Sequence, residues 1–319
     1  MADPSLPHAG VHLPWSEVPE RVREWAEAAL GPIEVARDLS GGFSPGCCTL
    51  LRRPDGTGAF VKAVGASLNP DSPSMHRREA RLAAALPTSA QLPRFIDAYD
   101  DGDWVALLFE EVPGRMPRHP WDRAELEAVL DGLASLHRSL TPCPVADVEA
   151  TSVRAASILC GWRELAATPV VPPGIDEWAL RHLDRLVVLE QECLTAVDAG
   201  DTLVHGDVRS DNVLLSGQSA VFVDWPHASR GSAAFDLVAW APSVALEGGP
   251  DPDDLLALYR LPPTCTPEQV TAMVAGVAGF FTFQSGRPAP QGLPTLRAFQ
   301  SAQGRVALEW LRRRTGWGS

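Results

Sequence analysis

Between Leu203 and Asp224 the chain reads LVHGDVRSDNVLLSGQSAVFVD. A short apolar run enters His205-Gly206-Asp207, and Asn212 follows in the same polar loop. Two further apolar runs flank a Ser216-Gly217-Gln218 turn, and Asp224 closes the second of them. Strands folded back on each other in this way bring Asp207, Asn212 and Asp224 to one end. Two carboxylates and an amide oxygen suit a hard divalent cation such as Mg2+. They also leave one carboxylate to accept a proton from a hydroxyl. A lone Asp in a loop is ordinarily a turn residue; three polar groups at this spacing are harder to read as turns.

A second position stands out by count. Of the 27 basic residues one is a lysine, Lys62, and the rest are arginines. A compact ammonium and a planar guanidinium do different work, so a sequence that uses arginine almost everywhere draws attention to its one lysine.

The elements that must position these residues fall into two sets. In the first, Ser16–Leu30 reads as an amphipathic helix capped by Ser16 and ended by Gly31-Pro32. Ile33–Leu39, Cys47–Arg53 and Ala59–Val64 read as strands, with turn chemistry at Ser40-Gly41-Gly42 and at Pro54–Gly58. Met75–Leu86 reads as a helix, and Arg94–Tyr99 and Trp104–Glu111 as strands joined at Asp100-Asp101-Gly102. After Pro113-Gly114 the pattern is mainly helical: Trp121–Leu140, Asp176–Val197, Leu237–Leu246, Asp253–Tyr259, Pro267–Phe283 and Thr295–Arg314. Thr141–Ile175 is irregular, and no internal repeat is visible.

Composition excludes several classes. At 45% hydrophobic and 21% charged, the 319 residues describe a globular chain, not a disordered or fibrous one. The charge of −13 argues against a nucleic-acid or anionic-membrane partner. Val270–Phe283 is too short to span a bilayer. MADPSLPHAG lacks the features of a secretion signal, so a cytoplasmic location is the default. The six cysteines are then expected as reduced thiols, with no zinc or disulfide framework.

HGDVRSDN followed by VDW resembles the catalytic loop and metal-binding aspartate of aminoglycoside phosphotransferases and related small-molecule kinases. The resemblance covers most of the chain. It implies an α+β, two-lobed protein-kinase-like fold, with a small antiparallel-sheet N-lobe over residues 1–112 and a larger, mainly helical C-lobe over 113–319. It further implies ATP as donor, GTP not being excluded, with Mg2+ and a small-molecule hydroxyl acceptor. Carried onto this sequence, Asp207 becomes the catalytic base and Asn212 and Asp224 the Mg2+ ligands. Arg209 stands where a cation faces the transferring phosphate, with a surface ion pair as the equal alternative. Lys62 becomes the lysine on the α- and β-phosphates, and Glu79 its ion-pair partner. Asp236 becomes a support for the catalytic-loop backbone, and His205 and His137 packed structural groups.

The stretch from Ser40 to Gly46 lies where a nucleotide-covering loop belongs, though without the full G-x-G-x-x-G spacing; the N–H groups of Gly42, Phe43 and Ser44 could cradle phosphates. Backbone atoms of Glu110 and Val112 correspond to the adenine-binding hinge, behind which sits Phe109. The acceptor is expected to be an aminoglycoside-like or other natural-product antibiotic, cationic ones included, with Glu247, Asp251, Asp253 and Asp254 as acids that could meet amines. The alternatives are a metabolic kinase of a sugar, amino alcohol or nucleoside-like compound, and a catalytically silent nucleotide-binding protein.

Overall fold

The computed structural model describes residues 12–39, 45–169, 174–262, 264–290 and 293–318. The first helix, α1 (Glu20–Leu30), starts later than the sequence suggests: a single 3-10 turn at Trp15–Glu17 precedes it and Pro19 stands at its N-cap. A residue before proline is driven out of the helical region, and Val18 is accordingly extended, so no helix runs through from Ser16.

Then come β1 (Val35–Asp38), β2 (Cys47–Arg52), β3 (Gly58–Gly65), α2 (Ser72–Ala85), β4 (Phe95–Asp100) and β5 (Trp104–Glu110). They form a five-stranded antiparallel sheet in the order β1-β2-β3-β5-β4. Side chains alternate across a strand, which sorts β3 and β5 onto two faces. Ala59, Val61 and Ala63 join Trp104, Ala106 and Leu108 against Val22 and Ala26 of α1. Phe60 joins Val105, Leu107 and Phe109 against Ala80 and Ala83 of α2. Lys62 shares the parity of Phe60 and so belongs to the face that α2 covers.

The remainder is helix around two small strand pairs. Its elements are α3 (Arg123–Ser139), α4 (Thr151–Ala155), α5 (Gly161–Ala167), α6 (Glu177–Arg181), α7 (Leu183–Val197), β6 (Thr202–Val204), β7 (Val213–Ser216), β8 (Ser219–Phe222), β9 (Ser229–Gly231), α8 (Ala234–Leu246), α9 (Pro252–Tyr259), α10 (Pro267–Ser285) and α11 (Leu296–Thr315). The architecture is therefore the mixed α+β arrangement expected. The irregular stretch contains α4 and α5, and the long helix expected from Asp176 breaks at His182 into α6 and α7. His182 leaves helical geometry there, packs edge-on against Trp178 and lies with Nε2 3.1 Å from the Gly318 carbonyl.

Helix α10 runs through the centre of this half, packed by α5, α7, α8 and α11. Val270, Met273, Val274, Val277 and Phe281 are buried there. No described helix is long and apolar enough to cross a membrane. The six cysteines are free thiols.

Candidate active site

Antiparallel pairing of β7 with β8, Val213 opposite Phe222, returns the chain so that the loop before β7 and the residue after β8 lie side by side. Val223 N donates to Asn212 O at 3.0 Å, closing that end. Asn212 Nδ2 donates to the Asp207 carbonyl at 2.9 Å and to its carboxylate at 3.2 Å. Asp207, Asn212 and Asp224 thus converge as the spacing required.

The loop is held from below. Asp236, at the start of α8 and 1% exposed, accepts from His205 N at 2.9 Å and Gly206 N at 2.8 Å. His137 Nε2 lies 2.9 Å from the same carboxylate and its Nδ1 2.6 Å from the Tyr259 hydroxyl. Burial opposes the Asp236 charge, yet His137 and the loop amides hold its carboxyl below the usual range. His205 Nε2 lies 2.9 Å from Val223 O, and its ring packs on Trp225 at 4.6 Å. Both histidines and Asp236 thus take the supporting places expected of them. Gly206 has φ +78°, and a Cβ there would sit 2.6 Å from His227 O, so this turn requires glycine.

Lys62 comes from the sheet. Its Nζ pairs with Glu79 of α2 and, at 2.6 Å, with Asp224 Oδ1. The lysine is 6% exposed and Glu79 2%. Burial works against the ammonium, but Asp224 and Glu79 more than restore it, so Lys62 stays charged. Burial pushes the Glu79 carboxyl up, with Lys62 opposing. Burial would raise Asp224 as well, and Lys62 instead holds it far below the usual range. Asp224 has φ +70°, a left-handed conformation costly for a non-glycine residue.

Burial pushes the Asp207 carboxyl above its ordinary range, while Arg209, His227 and His205 pull it back. Arg209 pairs through Nε with Asp211 Oδ1 at 2.9 Å and through its second nitrogen with Oδ2. Arg209 keeps its charge against burial because Asp207 and Asp211 face it.

Glu110 ends β5; its N–H donates to Arg94 O at 2.8 Å and its side chain pairs with Arg94. Beyond it Val112 is half-buried, and the connection is clamped to β7 by Arg115 N to Leu215 O at 3.1 Å and Ser216 Oγ to Pro113 O at 2.8 Å. Phe109 is buried edge-on against Phe95 at 5.6 Å. Gly42, Phe43 and Ser44 lie outside the described residues.

Of the four acids expected to face an amine, Glu247, Asp251 and Asp253 are engaged with the protein itself, and Asp254 is exposed in the first turn of α9. Asp251 pairs with Arg313 at 2.7 Å and Asp253 with Arg314 at 2.5 Å. Glu247 accepts from Ser210 Oγ at 2.8 Å and Trp121 Nε1 at 2.9 Å, tying the loop before β7 to the end of α8.

Several contributors were not found in the sequence. His76, buried one turn before Glu79, is driven down to about 3 by burial and by Lys62, so it is neutral. Its three-residue spacing from Glu79 was the available signal. Arg78 donates to Pro226 O at 3.0 Å and Ala228 O at 2.8 Å. Arg154 lies against His227. No local pattern announces these contacts.

Among the described residues no three His, Cys, Asp or Glu side chains cluster as a metal site. The oxygen set that could hold a cation is smaller: Asp224, one of whose oxygens is taken by Lys62, and Asn212, whose Nδ2 is taken by Asp207. Two hard oxygen ligands fit Mg2+ when phosphate oxygens and water complete the shell.

A family model described as phosphotransferase enzyme family, APH, matches residues 40–263. No curated protein matches the chain. Among solved structures, choline kinase LicA from Streptococcus pneumoniae superposes with a TM-score of 0.61 at 14% identity, over 92% of this chain and 99% of that one. Amicoumacin kinase hAmiN, in complex with AMP-PNP, Ca2+ and Ami, superposes at 0.59 and 13% identity over 93% and 95%. Spectinomycin phosphotransferase, in complex with ADP and spectinomycin, superposes at 0.59 and 10% identity over 91% and 97%. At such identities the likeness establishes a shared protein-kinase-like fold.

Proposed function

The chain belongs to the phosphotransferase enzyme family, and from that premise we propose that it moves the γ-phosphoryl group of ATP, or of GTP, onto a hydroxyl of a small molecule in the cytoplasm. The observation that carries this reading is the buried Lys62 ammonium of β3 held between Glu79 of α2 and Asp224, the last of these lying at the same strand-pair end as Asp207 and Asn212.

In this reading Lys62 binds the α- and β-phosphates, and Glu79 fixes its direction. Asn212 and Asp224 hold Mg2+, which neutralises phosphate charge when bound. Asp207 orients the acceptor hydroxyl and takes its proton; the burial that raises its carboxyl makes it the stronger base. Arg209 adds positive potential beside Asp207. Backbone groups of Glu110 and Val112 meet the nucleotide base, and Gly42, Phe43 and Ser44 belong to the loop over its phosphates. Phe109 closes the back of the base pocket, which limits bulk there without choosing between adenine and guanine. The residue 112/113 junction separates the lobe that binds nucleotide from the lobe that binds acceptor.

The amicoumacin and spectinomycin enzymes support a hydroxyl-bearing natural product as acceptor. The test is incubation of the full chain with ATP, Mg2+ and a panel of antibiotics, sugars, amino alcohols and nucleosides, read by mass spectrometry. The expected result is one acceptor class gaining a phosphoryl group, with nucleotide turnover that depends on it. Nucleotide binding without turnover for any acceptor would favour the silent nucleotide-binding alternative.

A further inference from the structure

Helix α4 is fixed against the segment that follows Asp224. Arg230 N donates to Glu149 O at 2.9 Å, and the hydroxyls of Thr151 and Ser229 are 2.9 Å apart. A Cβ on Gly231 would sit 2.4 Å from Thr151 Oγ1, so the Gly231 backbone is in close approach to the Thr151 side chain. One turn along α4, Arg154 Nη2 lies 3.3 Å from His227 Nδ1. His227 in turn packs its carbonyl against Gly206, immediately before Asp207.

Arg154 lacks the compensation that its neighbours have. Its Nε is buried and has no hydrogen-bond partner. Among the described residues no carboxylate lies within ion-pair distance of it. The adjacent Arg78 spends all three guanidinium nitrogens, on Pro226 O, Ala228 O and the carboxylate of Glu149 at 2.8 Å. Glu149, the nearby acid, is therefore already used. Burial lowers the pKa of Arg78, and Arg154 lowers it further, so the two cations repel. Burial lowers the His227 pKa, with Asp207 opposing. A neutral His227 that accepts from Arg154 at Nδ1 carries its proton on Nε2.

A half-buried guanidinium with an idle donor and no carboxylate partner is costly unless an anion completes it, and His227 links it to Asp207, whose charge acts on the imidazole. A planar fork is also the geometry that binds a carboxylate or phosphate through two donors. We propose that Arg154 and His227 form an oxyanion subsite that holds a carboxylate or phosphate of the acceptor next to Asp207, so that the preferred acceptor is a hydroxylated compound bearing its own anionic group. This rests on the phosphotransferase reading above and adds a substrate class to it. The other source of the same chemistry is the transferring phosphoryl group.

The test uses the full chain as wild type, Arg154→Met and Arg154→Lys, each checked for an unchanged melting profile. First, inorganic sulfate is titrated into protein saturated with a non-hydrolysable nucleotide, whose own phosphate site is filled. Sulfate affinity should fall about tenfold in Arg154→Met and partly recover in Arg154→Lys, with nucleotide affinity unchanged. Equal sulfate affinity in wild type and Arg154→Met overturns the subsite. Second, hydroxy acids are compared with their carboxamides. Arg154→Met should raise KM about tenfold for the acids, leaving the amides and kcat unaffected. A fall in kcat shared by both members of each pair assigns Arg154 to the transferring group and overturns the acceptor proposal. If no compound is phosphorylated, the kinase reading fails, while the sulfate titration still decides the subsite.

Discussion

Lys62 shows what a residue type contributes when charge is held constant. Its ammonium fills a closed position between Glu79 and Asp224, and the residue is 6% exposed. A guanidinium is wider and needs planar partners, so Lys62→Arg should weaken nucleotide affinity or turnover by about tenfold or more despite the retained charge. Titration calorimetry with nucleotide and steady-state kinetics check this. Asp207→Asn keeps the shape and the Asn212 contact but removes the base, so turnover should fall by at least about a hundredfold with nucleotide affinity preserved. Equal turnover in that variant would remove Asp207 from the chemistry. Asp207, Asn212 and Asp224 were legible because short-range spacing marks them, and Lys62 because it is the single lysine of the chain. Arg78, Arg154 and His227 were not, because contacts such as Arg78 to Pro226 join residues 148 apart in the chain. Folding alone makes such neighbours.

Elements carry the next set of consequences, at the places where they meet. Glu247 ends α8 and braces the loop through Ser210, and burial pushes its carboxyl up to about 7 from an ordinary 4.5. A raised folded-state value means that the folded chain keeps a proton the unfolded chain releases. The stability this contributes is full below the unfolded value and is lost as pH rises through the folded one. Glu247→Gln matches the protonated form, so its stability should equal wild type near pH about 4 and exceed it by about 1–3 kcal/mol at pH about 8. Denaturant unfolding at both pH values checks the sign. At the start of α5, a Cβ on Gly161 would lie 1.9 Å from Gly279 O of α10. Gly161→Ala should therefore push two backbones apart and cost about 3 kcal/mol or more, seen as a lowered melting temperature. Long periodic helices and alternating strands were readable beforehand. Helices of five and seven residues such as α4 and α5, and strands of three such as β6 and β9, are too short to show a period, and tertiary contacts hold them in place.

At the scale of the whole molecule, the net charge of −13 sets a long-range sign. The KM of a cationic acceptor should rise with ionic strength as attraction is screened, and that of an anionic acceptor should fall as repulsion is screened. The change should be about two- to fivefold across the range in which the Debye length shrinks from about 30 to 8 Å. Flat kinetics for charged acceptors of both signs would show that net charge does not reach the cleft. A change from strands to helices after Pro113-Gly114 was visible in the sequence, but the way α10 gathers four other helices was not, since nearly uniform apolarity carries no directional signal.

The family model stops at residue 263, and α10 begins at Pro267. The stretch by which the family is recognised is therefore not the stretch that holds its helical half together. A fragment trimmed to residues 40–263 would leave α5, α7 and α8 without the helix they pack on, and the sheet without the α1 side chains Val22 and Ala26 that cover one face. Such a fragment should keep every residue of the HGDVRSDN motif and yet collapse without a cooperative transition. In the full chain, the amide hydrogens at the centre of α10 should exchange only through global opening, among the last to be lost to deuterated solvent.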